Sequence, residues 1–482
     1  VSIQKKIFVG SLWAVGMRWG IRLMGMGSVV VLARVLRPED FGIMAMAFLL
    51  TGLVSSFSDL GVASMLIREK EISRADIDTA WTLSVLHGVG LACLFVLFAH
   101  PAALYFNEPR LTHVIYLCAL GAVLGSFEPL ATVFFRRELD FARDSLNQIL
   151  HKLWGVLITI ALALWLRSYW ALALSLPLGA VAGVVTSYCM RPYRPRFSLE
   201  SWRKLLGFSL ITLVTSLARF VSHRADVLIV GRIGDSTQVG YYNVAAELSL
   251  IGPRELTVSV GRAMFPSLAK AKHEQADFAS IFLEVLGYVA IACFPMGIGL
   301  WMVADDFVRV ILGPQWGEAA RLLGYLAIFG VLTSMSDIML NHVLIVTGHE
   351  RRQAAAYWLK ALLLVGCALA GVPWGIEGIA IGVLASSAIM FLLSIGILTG
   401  VLHCGALALI AVLWRPVLSM LAMAWILHIA MPYLPDSAFA RLPLSIALGA
   451  VTYSVVLVVL WAFAGRPAGP EAKAISLMRG SR

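Results

Sequence analysis

Charge is what this sequence has least of. Asp, Glu, Lys and Arg make up 14% of its 482 residues, against about 25% in a soluble globular chain. With 60% hydrophobic residues and a mean hydropathy of +0.85, that scarcity excludes a soluble globular protein. The six cysteines, Cys93, Cys118, Cys189, Cys293, Cys367 and Cys404, are scattered through apolar segments, and no pair has C-x-x-C spacing. They read as small buried residues in a reduced or lipid setting. The phosphate-cradling G-x-x-x-x-G-K-[ST] loop is missing, as are H-E-x-x-H and G-x-S-x-G. ATP-driven transport by this chain alone is therefore not expected, nor is enzymatic activity. Basic patches interleaved with aromatics are also absent, so the net charge of +10 does not point to nucleic acid.

What is present is a succession of apolar runs. Runs of roughly 18–25 residues suit helices crossing about 30 Å of hydrocarbon. Fourteen are predicted, near 8–33, 41–66, 80–105, 111–134, 145–166, 169–190, 205–230, 239–262, 280–304, 318–347, 353–372, 375–401, 408–431 and 442–464. The expected fold is all-α: a polytopic membrane protein of about 14 transmembrane helices, in two pseudo-symmetric six-helix lobes plus two C-terminal helices. Residues 1–190 would form the N-lobe, 191–204 a cytoplasmic linker, and 205–401 the C-lobe. Residues 402–464 would form the last two spans, and the Gly/Pro-rich basic stretch 465–482 a disordered cytoplasmic tail. Lys5 and Lys6 before the first apolar run mimic a signal peptide, but no convincing cleavage site follows. The run reads as an uncleaved first span.

Of the 38 Lys and Arg residues, 25 are counted with the connections on the side of the termini, Lys152, Lys360 and Arg415 among them, eight with those on the other side, and five deep inside spans. The excess puts both termini in the cytoplasm. An internal echo supports the two lobes. Ser11-Leu12 recurs as Ser209-Leu210, and at the same offset of 198 Arg34 maps to Arg232 and Gly42 to Gly240. Six spans per copy would make these parallel repeats.

The five intramembrane cations carry the functional argument. An arginine at the centre of a spanning helix costs about 2.5–3.5 kcal/mol on insertion scales, while a Leu or Phe returns about 0.3–0.6. Arg18 and Arg22 lie four residues apart on one face of the first span. They read as lining a water- or anion-filled cavity, since guanidinium forks match phosphate oxygens. The competing reading is snorkelling to an interface or pairing with an acid. Span seven adds Arg219, His223, Arg224 and Asp226; Arg224 and Asp226 cannot meet on one face, so their partners should lie elsewhere. Span eight adds Asn243, Glu247 and Arg254 on one stripe, beside a helix-breaking Pro253. Arg18, Arg22, Arg219, Arg224, Arg254, Asn243 and Glu247 are the candidate cavity residues. Asp59, Asp226 and His223 are the candidates for proton or sodium coupling; no other cofactor and no metal are expected.

Smaller signals are read structurally. Glu128 next to Pro129 is expected to hold the fold. Trp316, after Gly313-Pro314, fits an interface anchor. The linker, Arg191 to Lys204, is either a hinge or an anchor for anionic headgroups. Asp76-Ile77-Asp78 has the D-x-D form that some sugar transferases use, but Ser73-Arg74-Ala75-Asp76 is a capping-box pattern.

The junction Leu32-Ala33-Arg34-Val35-Leu36-Arg37-Pro38-Glu39-Asp40-Phe41-Gly42 resembles the L-A-R-x-L-x-P-x-x-F-G signature of polysaccharide flippases. These form the Wzx-like branch of the multidrug/oligosaccharidyl-lipid/polysaccharide exporter superfamily. Phe57-Ser58-Asp59-Leu60-Gly61, Arg136 to Phe141, Gly231 to Asn243 and Leu312 to Trp316 carry the same resemblance, over roughly residues 5–400. It implies a transporter of the bacterial inner membrane. That transporter would move a polyprenyl-pyrophosphate-linked oligosaccharide, such as one on undecaprenyl pyrophosphate, to the outer leaflet by alternating access. The glycan would enter exopolysaccharide, capsule or lipopolysaccharide, with membrane lipids, a polysaccharide polymerase and sugar transferases as candidate partners. Related flippases of lipid-linked cell-wall precursors place cavity arginines on spans one, two and eight. Arg18, Arg22 and Arg254 fit the first and eighth; the second span here has Asp59 instead. The alternatives are a multidrug or cation antiporter, a membrane polymerase or ligase, and a non-transporting scaffold.

Overall fold

Pro38 ends one helix and begins the next. It cannot continue a helix through its missing N–H, but it suits a first turn. The first helix accordingly stops at Val35, and the second starts at Pro38 with Glu39 and Asp40 in its first turn. Asp40 fixes the corner. One carboxylate oxygen accepts from the Arg37 N–H at 2.8 Å, and the other from the Tyr169 N–H at 2.7 Å.

The protein is described by a computed structural model over residues 3–56, 72–129, 134–135, 138, 140–202, 210–273, 278–402, 405–467 and 471–472. In chain order the helices are α1 (Ile3–Val35), α2 (Pro38–Ser56), α3 (Arg74–Phe106), α4 (Arg110–Ser126), α5 (Phe141–Leu166), α6 (Tyr169–Met190), α7 (Leu210–Ile233) and α8 (Ser236–His273). Then follow α9 (Phe278–Met302), α10 (Ala304–Ile311), α11 (Gly317–Val346), α12 (Glu350–Gly371), α13 (Gly375–Leu402), α14 (Ala406–Ala430) and α15 (Ala438–Phe463). The protein is an all-α, polytopic membrane protein. Apart from the eight-residue α10, each helix answers in order to one expected span. Among the described residues, nine stretches are long and apolar enough to cross a membrane, one of them running from Arg351 to Leu402 through both α12 and α13. The arginine-bearing α1, α7 and α8 fall outside that set, as does the shorter α4. Pro253 does not break α8, which runs through it as one helix.

The chain forms two compact units, residues 1–220 with 234–240, and residues 221–233 with 241–482. In the first, α3 packs on α4, α5 on α6, α1 on α5, and α2 against α3, α4 and α6. Its tightest point is where the start of α2 crosses residues 236–240. A Cβ on Gly42 would overlap the Ser236 carbonyl, and a Cβ on Gly240 would overlap the Pro38 carbonyl. Only glycine lets two backbones approach so closely. Beside this crossing, Arg110 holds both oxygens of Glu108 at 2.7 Å and Glu39 at 2.6 Å.

The linker is not loose where it is described. The Tyr193 hydroxyl and the Arg196 N–H both donate to Asp78, the Ser198 N–H donates to Thr82, and Phe197 packs edge-on to Trp81. Burial and the Asp78 carboxylate together push the Tyr193 phenol above its ordinary value. Asp76 closes a capping box with Ser73. Both carboxylates of the D-x-D motif thus serve α3 and the linker.

In the second unit α9, α11 and α14 share a core of Phe282, Leu286, Val289, Met335, Met339 and Leu409. α13 packs on α11 and α12, and α15 on α14. Two expectations are corrected here. Trp316 is fully buried and packs edge-on against Tyr241; Gly313, at positive φ, and the short turn after it precede a ring enclosed by protein, where an interface anchor would be exposed. Within the expected disordered tail, Glu471 is buried, its Oε1 standing 2.7 Å from Nη1 of the buried Arg415. The two are paired by distance, without the angles of a hydrogen bond.

Candidate functional site

Helix geometry decides which polar side chains meet. Positions three or four apart share a face, whereas neighbours two apart point to different ones. In the first unit, α1 carries Arg18 and Arg22 one turn apart, both half-buried. One turn on, Gly25 faces α5, where the Lys152 Cε would stand 3.7 Å from a Cβ at that glycine. Lys152, counted above with the loop cations, thus approaches the arginine-bearing helix. Arg219 is exposed on α7. Asp59 lies outside the described residues.

In the second unit, α7 and α8 pair their charges as the spacing requires. Arg224 donates to Glu247 at 2.8 Å, and Asp226, fully enclosed, accepts from the Tyr242 hydroxyl at 2.9 Å. The two neighbours on α7 do find separate partners. Asn243 is half-buried one turn before Glu247, and Arg254 is exposed further along α8.

A second cluster joins α7 to α11 and α12. Lys360 of α12 donates to Asp337 Oδ1 of α11 at 2.7 Å, and His223 Nε2 stands 3.5 Å from Asp337 Oδ2. Arg254 is close enough to act electrostatically on both Asp337 and His223. The sequence alone marks Asp337 only as a polar residue within an apolar run and groups Lys360 with the loop cations. Lys360 in fact lies inside α12 and is 6% exposed. Its signal was the lysine's position ten residues into an apolar helix that starts at Glu350. Glu128 accepts from the Ser187 hydroxyl at 2.9 Å and holds α6, as expected. Among the described residues no cluster of three or more His, Cys, Asp or Glu side chains has the arrangement of a metal site.

Long apolar helices, with guanidiniums standing on α1, α7 and α8, define a polytopic membrane protein. The lipid II flippase MurJ, in an inward closed conformation, superposes with a TM-score of 0.72 at 14% identity, covering 94% of this chain and 100% of that one. An inward-facing multidrug resistance MATE family transporter of the MOP superfamily gives 0.60 at 15% identity, covering 79% of this chain and 95% of that one. These two likenesses show the fold. The chain belongs to the polysaccharide biosynthesis protein family, whose profile matches residues 31–321. It is 26% identical over 345 residues to the lipopolysaccharide biosynthesis protein WzxC of Escherichia coli (strain K12), covering 70% of this chain and 69% of that protein.

Proposed function

We propose that this protein moves a polyprenyl-pyrophosphate-linked oligosaccharide from the cytoplasmic to the outer leaflet of a bacterial inner membrane, for assembly into a surface polysaccharide. Residues 1–190 and 205–401 act as two pseudo-symmetric lobes that rock by alternating access, joined by the linker 191–204, with both termini in the cytoplasm. The driving ion is a proton or a sodium ion. The observation that carries this reading is the set of guanidiniums on otherwise apolar helices: Arg18, Arg22 and Arg219 in one unit, Arg224 and Arg254 in the other. Such groups are stable at membrane depth when water or an anion solvates them. A pyrophosphate has the charge and the oxygen geometry to be that anion, while its lipid tail stays in the bilayer. Glu247, held by Arg224, orients that guanidinium, and Asn243 offers an amide to sugar hydroxyls.

The test is binding of a polyprenyl-pyrophosphate-linked oligosaccharide by purified protein. The reading expects Arg22→Ala and Arg254→Ala each to weaken it tenfold or more. Parent-like binding in both variants, or uptake of cationic dyes in place of the glycolipid, refutes it; the dye result favours multidrug antiport.

A further inference from the structure

Asp337, His223 and Lys360 stand on three different helices, α11, α7 and α12, and meet at one carboxylate. Lys360 is nearly enclosed, so water cannot solvate its ammonium, and Asp337 is the carboxylate that holds it. Asp337 itself is half-buried. A buried ammonium needs a counter-charge at every stage of a transport cycle. The counter-charge can be exchanged, but not removed.

The surroundings bias that exchange. On α7, Arg224 is beside His223 and already bound to Glu247 of α8. On α8, Arg254 is close enough to act electrostatically on both Asp337 and His223, and the acid beside it, Glu255, is itself engaged. On α13 the one acid, Glu377, lies with Arg321, which also meets Glu318 of α11. On α9 the one acid, Glu284, accepts from Tyr288 of its own helix. On α10, Asp305 pairs with Arg309 and Asp306 with Arg441. The region around Asp337 is therefore richer in cations than in free carboxylates, and a second anion is electrostatically welcome there.

Resting on the transport reading above, we infer that Asp337, His223 and Lys360 form a proton-for-phosphate exchange site. At rest the Asp337 carboxylate holds the Lys360 ammonium. When a pyrophosphate-bearing headgroup arrives, Lys360 keeps its three protons and passes from the carboxylate to a phosphate oxygen. Asp337 takes one proton from water, directly or by way of His223 Nε2, and becomes a neutral carboxylic acid. On release of the headgroup the acid returns the proton and recaptures the ammonium. One proton enters with each headgroup and leaves with it, and the only bonds made or broken are O–H and, where His223 relays the proton, N–H. A sodium ion is a poor substitute, since Lys360 already occupies the cation position on Oδ1.

The experiment is calorimetric binding to the purified full chain in nanodiscs of zwitterionic lipid. The probe is a polyprenyl pyrophosphate esterified with one sugar, a diester whose phosphates do not titrate near neutrality. Between pH 6 and 8 the parent should lose affinity by up to about tenfold per pH unit, the limit for one linked proton. Repeating the titration in buffers of different ionisation enthalpy should show uptake of about one proton, a readout that needs no variant. D337N should bind at pH 8 at least as tightly as the parent does at pH 6, with no pH slope. K360Q should bind more weakly at every pH. Inorganic pyrophosphate and anionic phospholipid nanodiscs form separate arms; equal proton uptake with the phospholipid overturns the headgroup assignment. Parent binding without proton uptake, or a slope that survives in D337N and vanishes in H223Q, overturns the exchange site while leaving the transport reading intact. Failure of the parent to bind the glycolipid at any pH sinks both.

Discussion

Gly42 and Gly240, 198 residues apart, lie against each other's helix starts, each where a side chain would collide with the other segment's backbone. Gly42 meets Ser236 and Gly240 meets Pro38, and the same offset of 198 relates Pro38 to Ser236 and Gly42 to Gly240. The contact is thus reciprocal between positions that the internal echo makes equivalent. Gly42→Ala should lower the thermal unfolding midpoint in detergent, by the equivalent of about 1–3 kcal/mol for overpacking, because backbone atoms cannot rotate aside. Gly90→Ala, on α3 with open space around it, is the control. It should be neutral or stabilising by up to about 1 kcal/mol, from helix propensity. Equal midpoints for the two variants would remove the crossing from the account of the fold.

Glu108, beside that crossing, gives a pH prediction. Burial alone would raise its carboxyl, but the Arg110 guanidinium on both oxygens outweighs burial and holds it below its ordinary 4.5. A carboxyl depressed in the folded state adds stability above its unfolded value and loses it as pH falls through the folded one. Glu108→Gln should therefore destabilise by about 1.5–3 kcal/mol near neutral pH, the usual worth of a hydrogen bond to a charged group. The difference from the parent should close below about pH 4.5. Unfolding midpoints across an acid series check it, and a difference that grows towards acid contradicts it.

The linker's docking rests on Asp78. In Asp78→Ala the Tyr193 hydroxyl and the Arg196 N–H lose their acceptor, while the Asp76 capping box that starts α3 stays intact. Trypsin should then cut after Arg194 or Arg196 several times faster, with little change in overall helix content. Unchanged digestion means the strap is held by the Thr79, Thr82 and Trp81 contacts alone.

Arg415 and Glu471 invite a double substitution. Removing one member of a buried ion pair leaves an uncompensated charge and costs about 3–5 kcal/mol, whereas replacing both with apolar groups is often neutral or better. Glu471→Leu alone should lower the unfolding midpoint, and adding Arg415→Met should restore it. A double variant worse than either single one would show that the pair is favourable in itself.

Much of this architecture is legible from periodicity and hydropathy. The apolar runs mark the helices, Pro38 marks the first corner, and spacing alone separates the partners of Arg224 and Asp226. What escapes is which face an isolated polar residue shows. Composition groups Lys360 and Arg415 with the loop cations because lysine and arginine usually sit there, yet both are buried within helices, each beside a carboxylate from another segment. The same kind of average places Trp316 at an interface, whereas the ring is buried three residues after Gly313, which takes a positive φ. The linker's attachment could not be read at all, because it runs through backbone N–H groups that composition does not reveal. Asp337 stands in the sequence only as a lone acid in an apolar run, since its role comes from the lysine and histidine that reach it from two other helices.

The Gly42–Gly240 crossing also bears on how the chain is made. The corner that begins α2 rests on a segment that leaves the ribosome almost two hundred residues later. Until then the first six helices enter the bilayer with Pro38 and Gly42 uncovered, and the pairing that completes their unit waits on α8. A truncated product ending before residue 236 would have seven helices and an unfinished fold, a natural substrate for membrane quality-control proteases.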